Sequence, residues 1–190
     1  MISPDEFNII LNFIGYGNLN APLWFLGIEE GLGKRYKAEH WSYEWEIRMR
    51  ASWSPVMDLH AAHEMLKDHY WDSGQCSWVW VVMAQLAPGI LHRASDWMDS
   101  DQANHYIINE LGRSTGATLL REALPLPKHY RRHWPYQELY PDREDYKQAV
   151  LPYRIDLWMR LIEMYLMPFF RHDMCDEQDV TEVIADTTQE

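Results

Sequence analysis

Two adjacent carboxylates, Glu29 and Glu30, stand in the run Gly27-Ile28-Glu29-Glu30-Gly31, directly after the apolar stretch Leu23-Trp24-Phe25-Leu26. A carboxylate at the C-terminal end of a strand lies where an open α/β sheet gathers its ligands. There it can take a proton from water or stabilise a developing cation, the two tasks that carboxylates perform in glycoside cleavage. Consecutive residues of a strand point to opposite faces, so one of the two is expected to act. From the residues alone, the plainer reading is that the two acids cap the next helix or face solvent. A third carboxylate, Glu122, sits near the end of a second apolar run, Thr118 to Leu124, just ahead of Pro125-Leu126-Pro127. It is read either as a ligand-binding group or as half of an ion pair with Arg121 or Arg131.

The basic-aromatic run Lys128-His129-Tyr130-Arg131-Arg132-His133-Trp134 and the shorter Lys34-Arg35-Tyr36-Lys37 are the dense cationic segments. Arg and Lys in such a loop grip phosphates while aromatic rings stack, so Lys34, Arg35, Lys128, Arg131, Arg132, His133 and Trp134 are candidate DNA contacts. An ordinary loop with Trp134 and Tyr136 packed on the domain is the other reading. His60 and His63 lie one turn apart on an expected helix, but the spacing is not His-Glu-x-x-His, and no metal site is assigned. His172-Asp173-Met174-Cys175-Asp176 mixes soft and hard ligands without a second half. Gly31-Leu32-Gly33-Lys34 lacks the spacing of a phosphate loop, and no Ser or Cys stands in a nucleophile elbow.

The elements that must position these groups follow from local signals. Ser3-Pro4-Asp5-Glu6 forms a capping box with Pro at the first helical position, and Gly15 and Gly17 are expected to end that helix. Leu23–Ile28 and Thr118–Leu124 read as buried strands. A short helix or loop is expected over 41–50, and a helix from Ser54-Pro55 to about Tyr70. An apolar helix follows from Trp78 to Pro88-Gly89, and another from about Ser100 to Leu111. Asp142 should cap a last helical stretch, interrupted at Pro152 and stopped at Pro168. Strand, helices, strand and helix in that order predict an α/β sheet rather than a bundle.

Composition sets the remaining bounds. A chain of 190 residues suits one domain, expected over 1–172, with 173–190 as an acidic tail. The formal charge of −12 argues against a nucleic-acid partner at first sight, yet seven of the 29 acids fall in the tail, which has no Lys or Arg. The body then carries only −5 against its 17 basic residues, compatible with a local basic patch. Two distant cysteines, the absence of a long apolar run and an acidic N-terminus predict a cytoplasmic protein without membrane contact.

Three segments together resemble the uracil-DNA glycosylase superfamily: GNLNAPLWFLGIEEG from Gly17 to Gly31, TLLREALPLPKHYRRHWPY from Thr118 to Tyr136, and LPYRIDLWMRLI within Tyr146 to Ile162. The resemblance covers most of residues 1–166. It implies a three-layer α/β/α domain with a mostly parallel central sheet, shortened or diverged at its C-terminal end. It further implies that Gly27-Ile28-Glu29 matches the first motif, in which the third residue positions or activates the attacking water. Glu29 would then serve catalysis with Glu30 beside it, while Gly27, Ile28 and Glu122 would meet the base. Glu122 stands where several members carry an Asn. No His-Pro pair matches the superfamily's second, His-Pro-Ser-like motif, which leaves His172 as the candidate substitute, with His129 and His133.

The function so implied is that of a monofunctional DNA glycosylase. It would hydrolyse the N-glycosidic bond of a flipped uracil or modified cytosine-type base, in repair or antiviral defence, without metal or organic cofactor. A carboxylate in place of Asn accepts hydrogen bonds only, so the expected target is a modified cytosine, whose N4 donates. The alternative is a glycosylase-like module that keeps DNA or partner binding without chemistry, a reading favoured by the missing second motif.

Overall fold

A computed structural model describes residues 2–32, 37–69, 77–92, 98–129 and 134–167. Helix α1 (Pro4–Leu11) opens on the expected capping box: Glu6 N–H donates to Ser3 Oγ and Ser3 N–H to Glu6 Oε2, at 3.2 and 2.7 Å. The helix ends at Asn12, and the two glycines form strand β1 (Gly15–Gly17) instead of a helix stop. They do so because β1 presses against a neighbouring strand. A Cβ on Gly17 would lie 2.2 Å from the Thr118 carbonyl oxygen, and its φ of 122° suits glycine alone.

Strand β2 (Leu23–Gly31) and strand β4 (Thr118–Lys128) are the two long strands, paired in parallel with Gly27 beside Glu122 and Glu29 beside Leu124. β4 runs four residues past the expected end, through both prolines. Gly31 pairs with Lys128 where Glu29 pairs with Leu124, so β4 carries two extra residues in a bulge that houses Pro125 and Pro127. The remaining partner, β3 (Val56–Met57), lies parallel to β1, and β1 runs antiparallel to β4. The result is a four-stranded mixed α/β sheet, mostly parallel, in the order β2-β4-β1-β3.

β3 and helix α3 (Leu59–Met65) replace the single helix expected from Pro55. Asp58 explains the break, since its side chain accepts from the N–H groups of His60 and Ala61 and so starts the helix there. Helix α2 (Tyr43–Arg50) is capped by Ser42, and α5 (Ser100–Asn109) by Asp99. Helix α4 (Trp78–His92) continues through Pro88, and α6 (Arg143–Leu161) through Pro152. Each proline removes one helical hydrogen bond, and tertiary anchors on the same helix outweigh that loss. Gln85 clasps the backbone of Met98 at both ends of its amide, at 2.7 Å each. Arg154 ties α6 to the carbonyls of Leu11, Phe13 and Glu122. A π-turn (Ile162–Leu166) extends α6.

Two apolar clusters hold these elements. Tyr16, Leu59, Ala62, Ala84, Ile107 and Leu120 join β1, β4 and helices α3 to α5. Ile10, Ile47, Leu124, Leu126, Tyr146 and Val150 join β4 to α1, α2 and α6. The α4 helix is apolar all round but not buried all round: Trp78, Val82, Leu86 and Ile90 stay exposed along one stripe. Among the described residues no helix is long and apolar enough to cross a membrane.

Candidate functional site

The C-terminal end of β2 and the middle of β4 open onto a cleft of about 720 Å³, lined by Glu29, Glu30 and Glu122 together. Its apolar wall is built by Tyr16, Leu59, Trp80, Met83 and Leu120. Of the two adjacent acids, Glu29 points to the α6 side. Its Oε2 accepts from Lys128 Nζ at 3.2 Å and Arg143 Nη2 at 3.1 Å, while Oε1 is buried with no hydrogen-bond partner. Such a carboxylate is held by two cations and keeps one oxygen for a ligand or water.

Glu30 points to the α2 side and is held differently. Arg50 grips both its oxygens, at 2.8 and 3.0 Å, and the Tyr16 hydroxyl donates to Oε2 at 2.7 Å. Arg50 reaches back to Glu46 Oε1 at 2.8 Å, and Trp41 Nε1 donates to the other Glu46 oxygen. Arg50 and Glu46 are almost wholly buried, so this chain of charges is a built structure rather than a surface pair. Burial opposes the Arg50 charge, and Glu30, Tyr16 and Glu46 more than restore it, so its proton affinity ends well above the ordinary value.

Among the described residues Glu122 has neither kind of partner. Its carboxyl folds over Gly27, where a Cβ would lie 2.2 Å from Oε2, so the glycine provides the room for it. That oxygen is buried without a hydrogen bond. Burial, followed by the negative charge of Glu30, pushes Glu122 up to about 8 from an ordinary value near 4.5; Glu29 adds to the rise and Arg50 opposes it. Near neutral pH the group carries a proton. The expected pairing with Arg121 is not made. Arg121 is buried between the rings of Trp24 and Trp158, at 5.0 and 5.4 Å, with Nε and Nη2 unpartnered. Burial and the neighbouring Arg154 lower its proton affinity to about 9.

Sequence reasoning missed three contributors. Arg50 and Tyr16 carry no motif, and His63 was read only as half of an unassigned histidine pair. His63 is buried on α3 and lines the cleft, with its Nδ1 3.1 Å from Asp68 Oδ2 and its ring against Tyr16 and Trp80. His60 lies on the same helix, and among the described residues no group of three or more His, Cys, Asp or Glu could hold a metal ion.

The candidate DNA contacts divide. Lys128 is buried at the cleft against Glu29 and not on an outer, phosphate-facing surface. Trp134 is not an exposed wedge: its indole donates to the Tyr140 carbonyl at 2.9 Å and packs on Tyr136 and Tyr146. Ile28 faces outward, 71% exposed, at the rim. His129 lines the cleft. Lys34, Arg35, Arg131, Arg132, His133 and His172 lie outside the described residues, as does the tail from 173 to 190. Comparison of the chain with protein-family models, curated proteins and solved structures yields no match.

Proposed function

We propose that the cleft hydrolyses the N-glycosidic bond of a nucleobase flipped out of DNA, a uracil or a modified cytosine-type base, on a uracil-DNA glycosylase-like α/β/α domain. One observation carries this reading: two carboxyl groups held in unlike surroundings, one ion-paired and one without a cation among the described residues, line a single cleft. Glu29 is an ion-paired carboxylate with an unused oxygen, and Glu122 is a protonated acid. Environments that separate two carboxyl groups in this way mark a base and an acid.

In the proposed reaction the ring of the base rests on the apolar wall of Tyr16, Trp80 and Leu120. Glu29 Oε1 takes a proton from water as its oxygen bonds to C1′ of the sugar, and the carboxylate stabilises the positive charge developing there. The C1′–N bond breaks with its electron pair passing to the base. The base recovers a proton from the acidic side of the cleft, where Glu122 and the Asp68-held His63 stand. The products are a free base and an abasic sugar, and the chemistry needs no oxidant. General acid–base groups of this kind contribute about 10²- to 10⁴-fold each.

The test is incubation with duplex and single-stranded DNA carrying uracil or modified cytosines, followed by alkaline cleavage at abasic sites. The wild-type chain is expected to release a base, and Glu29→Gln to lose at least about 10²-fold in rate. If no substrate yields abasic sites, the glycosylase reading falls. DNA binding that persists without product would then identify the catalytically silent module.

A further inference from the structure

We propose that Glu122 reads its ligand as a neutral carboxylic acid, closing a two-hydrogen-bond ring with any six-membered heterocycle that presents a donor and an acceptor side by side. The inference rests on the nucleobase reading of the cleft and names what that site selects. Sequence alone suggests a group that only accepts. A protonated carboxyl instead offers one O–H donor and one carbonyl acceptor. The proton can sit on either oxygen, so the same group matches the N–H/C=O edge of uracil and the N/N–H₂ edge of cytosine. The ionised form matches neither.

The surroundings of Glu122 hold it in that state. Among the described residues no cation touches its carboxyl: Lys128 and Arg143 are engaged with Glu29 on one side, and Arg50 with Glu30 and Glu46 on the other. From α6, Arg154 bonds the backbone carbonyl of Glu122 and not its side chain. The groups that face it directly from β2 are therefore two carboxylates, and like charges sharing a cleft cannot all ionise cheaply. The Tyr16 hydroxyl on β1 donates its hydrogen bond to Glu30, and the His63 ring on α3 is held by Asp68. Gly27 completes the device, since any side chain there would fill the space in which the acid lies. Glu122 lines the cleft, and its Oε2, buried over Gly27, has no hydrogen-bond partner among the described residues.

The experiment measures binding of free 1-methyluracil and 1-methylcytosine to the full chain by calorimetry at about pH 6.5 and about pH 9.5. Both probes are expected to bind wild type at the lower pH within about tenfold of each other, and to weaken at least about tenfold at the higher pH as the acid ionises. Glu122→Gln carries a donor and an acceptor that do not titrate. It should bind both probes at both pH values within about threefold, and it reports any titration of the probes themselves. A flat wild-type profile, loss of binding in Glu122→Gln, or failure of both probes to bind overturns the inference. The wild-type profile decides alone if the variant does not fold. Abasic-site release answers the other question separately: probe binding with the expected pH limb but no release sinks the glycosylase reading and leaves this one standing.

Discussion

Replacing Glu122 with Gln should make the protein more stable, and increasingly so as the pH rises. The native state holds the Glu122 proton up to about pH 8, whereas an unfolded chain releases it near 4.5. Between those values the folded state binds more protons than the unfolded state, so wild-type stability falls as pH rises through this window. Below about 4.5 both states are protonated and the group has no effect. Above about 8 both are ionised and the loss is complete. Each pH unit is worth about 1.4 kcal/mol, which sets an upper limit near 5 kcal/mol for the whole window. One side of Glu122 faces an open cleft, and water there lowers the cost of charging it, so about 2–5 kcal/mol is expected. Gln keeps the size and shape over Gly27 and has no proton to lose. Urea unfolding of both proteins at about pH 4.5, 6, 7 and 8.5 gives the difference directly. The gap should open steadily with pH. A gap that stays constant within about 0.5 kcal/mol would show that Glu122 ionises normally, and would refute the account of burial and neighbouring charge.

Arg50→Met should destabilise by about 3–5 kcal/mol in urea titrations, because Glu30 and the wholly buried Glu46 would lose their shared cation. A loss under about 1 kcal/mol would mean the network is dispensable. Arg121→Met should behave oppositely and cost less than about 1 kcal/mol, since the buried guanidinium has no carboxylate partner among the described residues and only two indoles to lose; a larger loss measured the same way would show that the Arg121 charge is stabilised by more than the two rings. Gly27→Ala should fold, with an unchanged far-ultraviolet spectrum, yet bind 1-methyluracil at least about tenfold more weakly, because the methyl group takes the place of the Glu122 carboxyl. Unaltered binding would separate that carboxyl from ligand recognition.

Whatever depends on a few neighbouring residues could be read directly from the chain. Ser3 and Glu6 cap α1, Asp142 caps α6 and Asp99 caps α5, because a cap is a contact spanning two or three residues. Leu23 to Leu26 read as a strand because the run is apolar, and the acids at its end followed from position alone. The mixed α/β class with a mostly parallel sheet was likewise legible in the order of elements. That Gly15–Gly17 forms a strand could not be read locally, because the reason for the glycines is the backbone of β4, far along the chain. Proline carried the wrong local message in α4 and α6, where long-range anchors through Gln85 and Arg154 outweigh one missing bond. The cleft is the clearest case. Arg143 meets Glu29 across 114 residues and Arg50 meets Glu30 across 20, and neither spacing leaves a pattern to read. The protonation of Glu122 is further still from the sequence. It arises from burial and from two charges whose partners lie on other elements, and a charge state set by surroundings exists only once the surroundings have assembled.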